Sequence, residues 1–147
     1  MAITDFLQLT PTLATVGQPT VAELAQLRQA GYEVVINLAT PSSPSALPDE
    51  AEQVARLGME YIPIPVVWEQ PVPQNLADFL GAMARVHEKK VLVHCARNMR
   101  VSAFMYLYRI LVLDWPDDQA APDLLKIWQP NETWTKFIAE MINASIE

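Results

Sequence analysis

The sequence predicts an α/β fold with a mainly parallel central sheet flanked by helices, and three observations carry that expectation. β-Branched and apolar runs at residues 33–39, 59–65 and 90–94 alternate with stretches of helical periodicity. The first of these runs is largely continuous rather than alternating, the pattern of a strand buried on both faces, as in parallel sheets. At 147 residues the chain has the size of one ordinary domain, and no repeat, low-complexity tract or long linker divides it. A single domain over residues 1–147 is expected.

Residues 6–10 and 13–16 are short apolar segments around Pro11, consistent with a strand or hairpin at a sheet edge. Thr20 and Glu23 have capping-box spacing, Leu24 and Leu27 follow at helical spacing, and Gly31 stands where that helix should end. The first central strand, residues 33–39, comes next, and residues 40–48, rich in Pro and Ser, read as a surface loop. Asp49 and Glu52 open a second helix that closes at Gly58. In the strand that follows, Pro63 and Pro65 point to a sheet edge. Residues 73–88 form a third helix with Leu76, Phe79, Leu80, Met83 and Val86 on one face. The strand at residues 90–94 leads into a fourth helix that begins just after Cys95 and runs to about Leu113. The tail, residues 117–146, is expected to form two more helices.

Composition narrows the function. With 51% hydrophobic and 18% charged residues the chain is too apolar for a disordered segment, yet it lacks the run of ~20 apolar residues that spans a membrane. Ten basic against seventeen acidic side chains give a formal charge of −7, which repels nucleic acid and anionic membranes, so neither is an expected partner. Residues 1–9 carry Asp5 and no basic cluster ahead of a long apolar core, making a cytoplasmic location the expectation. Cys95 is the only cysteine, which excludes an internal disulfide, a C-x-x-C pair and a multi-cysteine metal site. His87 and His94 are the only histidines and no Gly-rich nucleotide loop is present, so no metal or cofactor is expected.

Residues 91–104, VLVHCARNMRVSAF, are the informative segment. They place the thiol at the carboxyl end of a central strand, where α/β sheets bind ligands, and just before a long helix. Unpaired amides and the dipole at that helix N-terminus would favour both a thiolate and an incoming oxyanion. Arg85, Lys89, Lys90, Arg97 and Arg100 make five of the ten basic residues, with one acid, Glu88, among them, so positive charge is expected to gather around the thiol. A lone cysteine after a buried strand is by itself as readily a small core residue. The order strand, thiol, arginine, helix is what favours chemistry.

His94-Cys95 followed by a short arginine-bearing loop and Ser102 resembles the phosphate-binding loop of cysteine-dependent protein phosphatases of the tyrosine and dual-specificity types. Gly17-Gln-Pro-Thr20, Gly31-Tyr32 leading into Val35-Ile-Asn-Leu38, and Gly58-Met59-Glu60-Tyr61 leading into Ile64-Pro65-Val66 extend the likeness over about residues 6–113. Together they are similar to a bacterial phosphatase-like branch, a domain of unknown function also found beside β-lactamase-like hydrolases. The resemblance implies hydrolysis of phosphate monoesters such as phosphotyrosine or small aryl phosphates. A phosphate ester or phosphoprotein would be the substrate, with an anion such as phosphate or sulfate held in the loop.

In that reading the Cys95 thiolate attacks phosphorus to give a phosphocysteine that water later hydrolyses. The implied phosphate-binding residues are Ala96, Arg97, Asn98, Met99, Arg100 and Val101, with an arginine guanidinium on the equatorial oxygens. Ser102 would assist thiolate release, and His94 would organise the loop. The general acid in this family is usually an aspartate about thirty residues before the cysteine. Residues 66–72 hold no aspartate, so Glu69, their only carboxylate, is the candidate, Asp78 lying too far along the next helix.

The spacing departs from the family pattern, which has five residues between cysteine and arginine and glycine three after the cysteine. Here Arg100 comes one place early, Asn98 takes the glycine position, Val101 the arginine position, and Ser102 stays in register. Asparagine tolerates positive φ, so Asn98 is compatible with the loop. Either the helix register is kept, Arg100 turns away by ~100° and Arg97 substitutes, or the loop is one residue tighter and Ser102 is displaced. Rhodanese-type sulfurtransferases share the shorter spacing, and a weak or inactive phospho-ligand binding module is a third reading. Trp68 and Trp115 either border the pocket or pack, with packing favoured.

Overall fold

The computed structural model describes residues 3–146. Strands β1 (Leu7–Thr10) and β2 (Leu13–Val16) form an antiparallel hairpin that places β1 at a sheet edge. Strands β3 (Val34–Asn37), β4 (Glu60–Pro63) and β5 (Val91–His94) join it in the order β1-β2-β5-β3-β4, and all pairings beyond the hairpin are parallel. The mainly parallel sheet is therefore present. β4, with Pro63, closes the other edge, where a missing amide hydrogen costs nothing to the ladder.

β5 is buried at every position, and the sequence explains why. Val91 and Val93 face one apolar cluster while Leu92 faces another, so neither face of the strand meets water. In register, Val16 and Asn37 both pair with His94, so the carboxyl ends of β2, β3 and β5 lie level. The segments leaving those three strands converge on one edge.

Helix α1 (Val21–Gln29) has the expected capping box: the Glu23 amide donates to Thr20 Oγ1 (3.1 Å) and the Thr20 amide to Glu23 Oε1 (2.8 Å). Gly31 follows with φ of 98°, the left-handed turn that glycine makes without strain. Helix α2 (Glu50–Arg56) starts where expected, but Asp49 makes no cap bond and instead accepts from Gln53 Nε2 at 2.8 Å. Asp49 is not extended (φ −115°, ψ 29°), which takes its carboxylate away from the first-turn amides. In α3 (Pro73–Val86) the Val72 amide is satisfied by Asn75 Oδ1 (3.0 Å), and Leu76, Phe79, Met83 and Val86 are buried. Helix α4 (Met99–Leu111) is buried over most of its length, and the tail folds as α5 (Asp117–Ile127) and α6 (Glu132–Ile146). No described helix is long and apolar enough to cross a membrane.

The two apolar clusters are the layers on either face of the sheet, one built with α3, α4 and the tail, the other with α1 and α2. One ion pair ties the tail to α4. Buried Arg109 donates to Asp123 Oδ2 at 2.5 Å and lies over the Trp115 ring at 4.3 Å, so Trp115 packs as expected. Burial disfavours the Asp123 carboxylate, but hydrogen bonds from Arg109 and Lys126 outweigh it and hold the carboxyl below its ordinary value. A carboxyl lowered in the folded state contributes stability above its unfolded pKa and loses it as pH falls through the folded one. Asp123→Asn is therefore expected to destabilise by about 1–3 kcal/mol in urea unfolding at neutral pH and by progressively less as pH falls through the lowered folded-state value of the carboxyl. A loss that does not shrink on acidification would remove the ion pair as the cause.

Candidate active site

β5 delivers His94 and Cys95 to the carboxyl edge of the sheet, and the chain turns into α4 through Asn98, which is left-handed (φ 65°, ψ 2°). Asparagine fills a position where glycine is usual because its buried side chain also works: Nδ2 donates to the Asp5 carbonyl and to Thr15 Oγ1, each at 2.9 Å. On the other side the Gln18 amide donates to the Ala96 carbonyl (3.0 Å). A Cβ at Gly17 would lie 2.8 Å from that carbonyl oxygen, so only glycine allows the β2 exit to brace the loop this closely.

The Cys95 side chain, 1% exposed, lines an open cavity of about 150 Å³ with Trp68, Ala96, Arg97, Met99 and Arg100. The amides of residues 99–101, in the first turn of α4, have no intrahelical acceptor, as at any helix N-terminus, and Met99 and Arg100 of that turn line this cavity with the thiol. Such donors favour an anion there.

Arg100 faces inward. It borders the cavity, with Nη1 donating to the Val66 carbonyl (2.8 Å), Nη2 to Ser43 Oγ (3.4 Å), and its guanidinium carbon 6.0 Å from the Trp68 ring centroid. This is the tighter loop of the two registers considered, and it displaces Ser102. The Ser102 hydroxyl donates to the Met99 carbonyl (2.9 Å), accepts from Trp128 Nε1 (3.1 Å), and does not line the Cys95 cavity. Ser102 is thus not placed to bond the thiolate, because a loop shortened by one residue turns every later helix position by ~100°. The Val101 side chain lies in the core, which leaves its backbone amide as the part that can serve the loop.

Arg97 is 69% exposed, with Nε 3.7 Å from Asp5 Oδ2, a contact long enough to leave the guanidinium available to a ligand. The expected gathering of five basic residues around the thiol does not occur. Arg85 and Lys89 pair with Glu60 (2.5 and 3.8 Å), and the Arg85 hydrogen bond holds that carboxyl below its ordinary value. Lys90 reaches the Ala30 carbonyl and the Tyr32 ring. All three sit at the amino ends of β4 and β5, and four strand residues put ~13 Å between that end and Cys95. Only Arg97 and Arg100 line the Cys95 cavity.

His94 is fully buried, with Nδ1 3.2 Å from the Cys95 carbonyl and Nε2 2.6 Å from Glu50 Oε2. A carbonyl only accepts, so Nδ1 carries a proton, and one further proton lies between Nε2 and the carboxyl. Glu50 Oε1 accepts from Gln18 Nε2 at 2.8 Å. One buried carboxylate therefore braces the loop twice, through His94 at Cys95 and through Gln18 at Ala96. Sequence reading missed Glu50, since a glutamate beside Asp49 in a first helical turn has the pattern of a solvated cap charge, and nothing local marks its burial.

Glu69 lies on the turn after β4 and is exposed. It lines a second cavity, about 320 Å³, with Thr40, Ser42, Ser43, Pro44, Val67, Trp68 and Arg100. Trp68 and Arg100 border both spaces, so the two adjoin. Trp68 consequently borders the pocket as well as packing, its ring 5.2 Å from Trp128 and 5.9 Å from Trp134.

No family model matches the chain. It is 31% identical over 102 residues to the β-lactamase hydrolase-like protein of Xylella fastidiosa, a match that covers 67% of this chain and 23% of that protein. The chain thus spans about a quarter of the length of these curated relatives. A candidate phosphatase (DUF442) from Shewanella putrefaciens CN-32 matches with a TM-score of 0.89 and 35% identity, over 98% of this chain and 95% of its own. TpbA from P. aeruginosa, solved as a cysteine-to-serine variant in complex with pTyr, matches with a TM-score of 0.68 over 95% of this chain and 91% of its own. At 16% identity that likeness concerns the fold alone.

Proposed function

Since the chain belongs to the DUF442 family of phosphatase-like proteins and shares the fold of the cysteine-dependent tyrosine and dual-specificity phosphatases, we propose that it hydrolyses phosphate monoesters through a phosphocysteine on Cys95. Sγ attacks phosphorus, the S–P bond forms and the ester P–O bond breaks, with Glu69 giving its proton to the leaving oxygen. Water then attacks phosphorus, its proton passes to the Glu69 carboxylate, the S–P bond breaks, and inorganic phosphate leaves. The loop amides, Arg97 and Arg100 hold the equatorial oxygens as charge develops on them. The observation that carries this reading is the placement of the thiol in an anion-suited cavity at the N-terminus of α4 with two arginines beside it.

A second reading, a slow or inactive phospho-ligand binding module, is favoured by one observation: Ser102 is engaged by Met99 and Trp128. Without a hydroxyl on the thiolate, release of Cys95 depends on the helix amides alone, and the second step should be the slower one.

Hydrolysis of 4-nitrophenyl phosphate by metal-free protein between pH 5 and 8, with Cys95→Ser as control, separates the two. Vanadate-sensitive turnover with an initial burst, absent from the control, is expected. No turnover above the control, with phosphate still bound, would assign the binding module, and sulfur transfer from thiosulfate to Cys95 would assign the rhodanese-like activity. For Glu69→Gln, kcat/KM should fall by about 10²-fold on alkyl phosphates, whose leaving groups need a proton, and hardly at all on 4-nitrophenyl phosphate. An unchanged ratio of the two rates would eliminate Glu69 as the acid.

A further inference from the structure

We propose that the ester's leaving group is a neutral, hydroxyl-rich body, a polyol or monosaccharide, seated in the cavity that Thr40, Ser42, Ser43, Trp68 and Glu69 form beside the Cys95 pocket. The inference rests on the phosphate-ester reading for the phosphoryl end and goes beyond it for the rest of the molecule.

The chemistry of the walls selects the occupant. At about 320 Å³ the second cavity is twice the size of the 150 Å³ thiol cavity, and it adjoins it through Trp68 and Arg100, so a phosphoryl group at Cys95 leaves the remainder of its ester there. Three hydroxyls line it. Thr40 Oγ1 and Ser42 Oγ lie 3.1 Å apart, and Ser43 Oγ accepts from Arg100. Each hydroxyl can both donate and accept, as sugar hydroxyls require. Glu69 adds a carboxyl that can accept from a sugar hydroxyl and offers no positive charge to an anionic body, such as a second phosphate or an acidic peptide. Among the described residues the only cation in this lining is Arg100, already bonded to Val66 and Ser43.

The aromatic wall fits the same ligand. Trp68 is held by Trp128 and Trp134, and the Trp134 indole donates to its carbonyl at 2.9 Å, so an indole is pre-positioned against which the C–H face of a sugar ring can pack. A phenyl ring could rest on Trp68, Pro44 and Val67, but it would also cover three hydroxyls and a carboxyl, which lose solvation without gaining partners. Alkyl esters of this kind have poor leaving groups, and the carboxylate that could protonate them, Glu69, lines the same cavity.

Binding to the Cys95→Ser protein tests the ligand class independently of turnover. Calorimetry with glucose 6-phosphate, sorbitol 6-phosphate, glycerol 3-phosphate, phosphotyrosine and inorganic phosphate should show at least one hexose or hexitol phosphate binding tenfold or more tightly than inorganic phosphate, and more tightly than phosphotyrosine. In Thr40→Val/Ser42→Ala the affinity ratio of that ligand to inorganic phosphate should fall about tenfold, the loss of two neutral hydrogen bonds. Equal binding of all five, tighter binding of phosphotyrosine, or an unchanged ratio in the double variant would overturn the proposal. Selective polyol phosphate binding without turnover by the unmodified protein would overturn hydrolysis and leave the ligand class standing; turnover of aryl phosphate without that selectivity would do the reverse.

Discussion

Glu50→Ala is expected to lower the unfolding free energy by about 3–5 kcal/mol and to abolish anion binding at Cys95. The carboxylate is 3% exposed, His94 0%, and their contact is 2.6 Å. Removing one partner leaves the other buried and polar with nothing to replace water, which costs more than the pair contributes when intact. The loss is local to the loop, because His94 Nδ1 then no longer has a fixed ring behind it to hold the Cys95 carbonyl, and Gln18 loses the acceptor that orients it beneath Ala96.

Glu50→Gln distinguishes geometry from charge. The amide oxygen can accept from Gln18 while its NH₂ donates to Nε2 of a neutral His94 that still donates from Nδ1. That variant should keep most of the stability and bind phosphate, as read by urea unfolding and calorimetry. If alanine were tolerated as well as glutamine, the buried pair would not be what holds the loop.

Trp134→Ala should also cost about 3–5 kcal/mol, the range for deleting a large buried aromatic side chain. Trp134 is fully buried, with ring centroids 5.9 Å from Phe104, 5.8 Å from Phe137 and 5.9 Å from Trp68. Its indole N–H is the bond that fixes the Trp68 carbonyl, one residue before Glu69. Helix α6, remote from Cys95 in sequence, thereby positions the loop that brings Trp68 and Glu69 to the site. Trp134→Phe keeps most of the packing but removes that hydrogen bond and three buried ring atoms, so it should destabilise by less, about 1–3 kcal/mol. It should lower kcat/KM on alkyl phosphates more than on 4-nitrophenyl phosphate, because it loosens the acid and not the thiol. Equal effects on both substrates would mean that Trp134 serves stability alone.

Much of the frame was legible because its signals are local. The Thr20–Glu23 box, the Gly31 stop and the apolar periodicity of α3 each depend on residues within one or two turns of one another. The two helices that the sequence predicts for the tail are α5 and α6. Asn98 was legible for the same reason, since its positive φ is demanded by the turn it sits in. The site was legible only in part. Arg100, one place early, was compatible with two registers, and Ser102 could be at the thiol or away from it. The decision falls to contacts made with Val66, Ser43 and Trp128, which come from other segments.

The basic cluster shows how nearness in sequence misleads in a strand. Lys89 and Lys90 are five or six positions from Cys95, but an extended strand carries them to the opposite edge of the sheet, where Glu60 and the Tyr32 ring receive them. The sequence by itself determined a mainly parallel α/β sheet, a thiol at the carboxyl end of its central strand and a helix N-terminus to receive an anion, because periodicity, capping and strand-to-helix order are properties of neighbouring residues. Only the tertiary structure decided that Glu50 stands behind His94, that Arg100 turns inward while Ser102 does not, and that Trp68 joins two cavities. Those are pairings across tens of residues, set by packing and by the need to satisfy buried polar groups, and no local pattern encodes them.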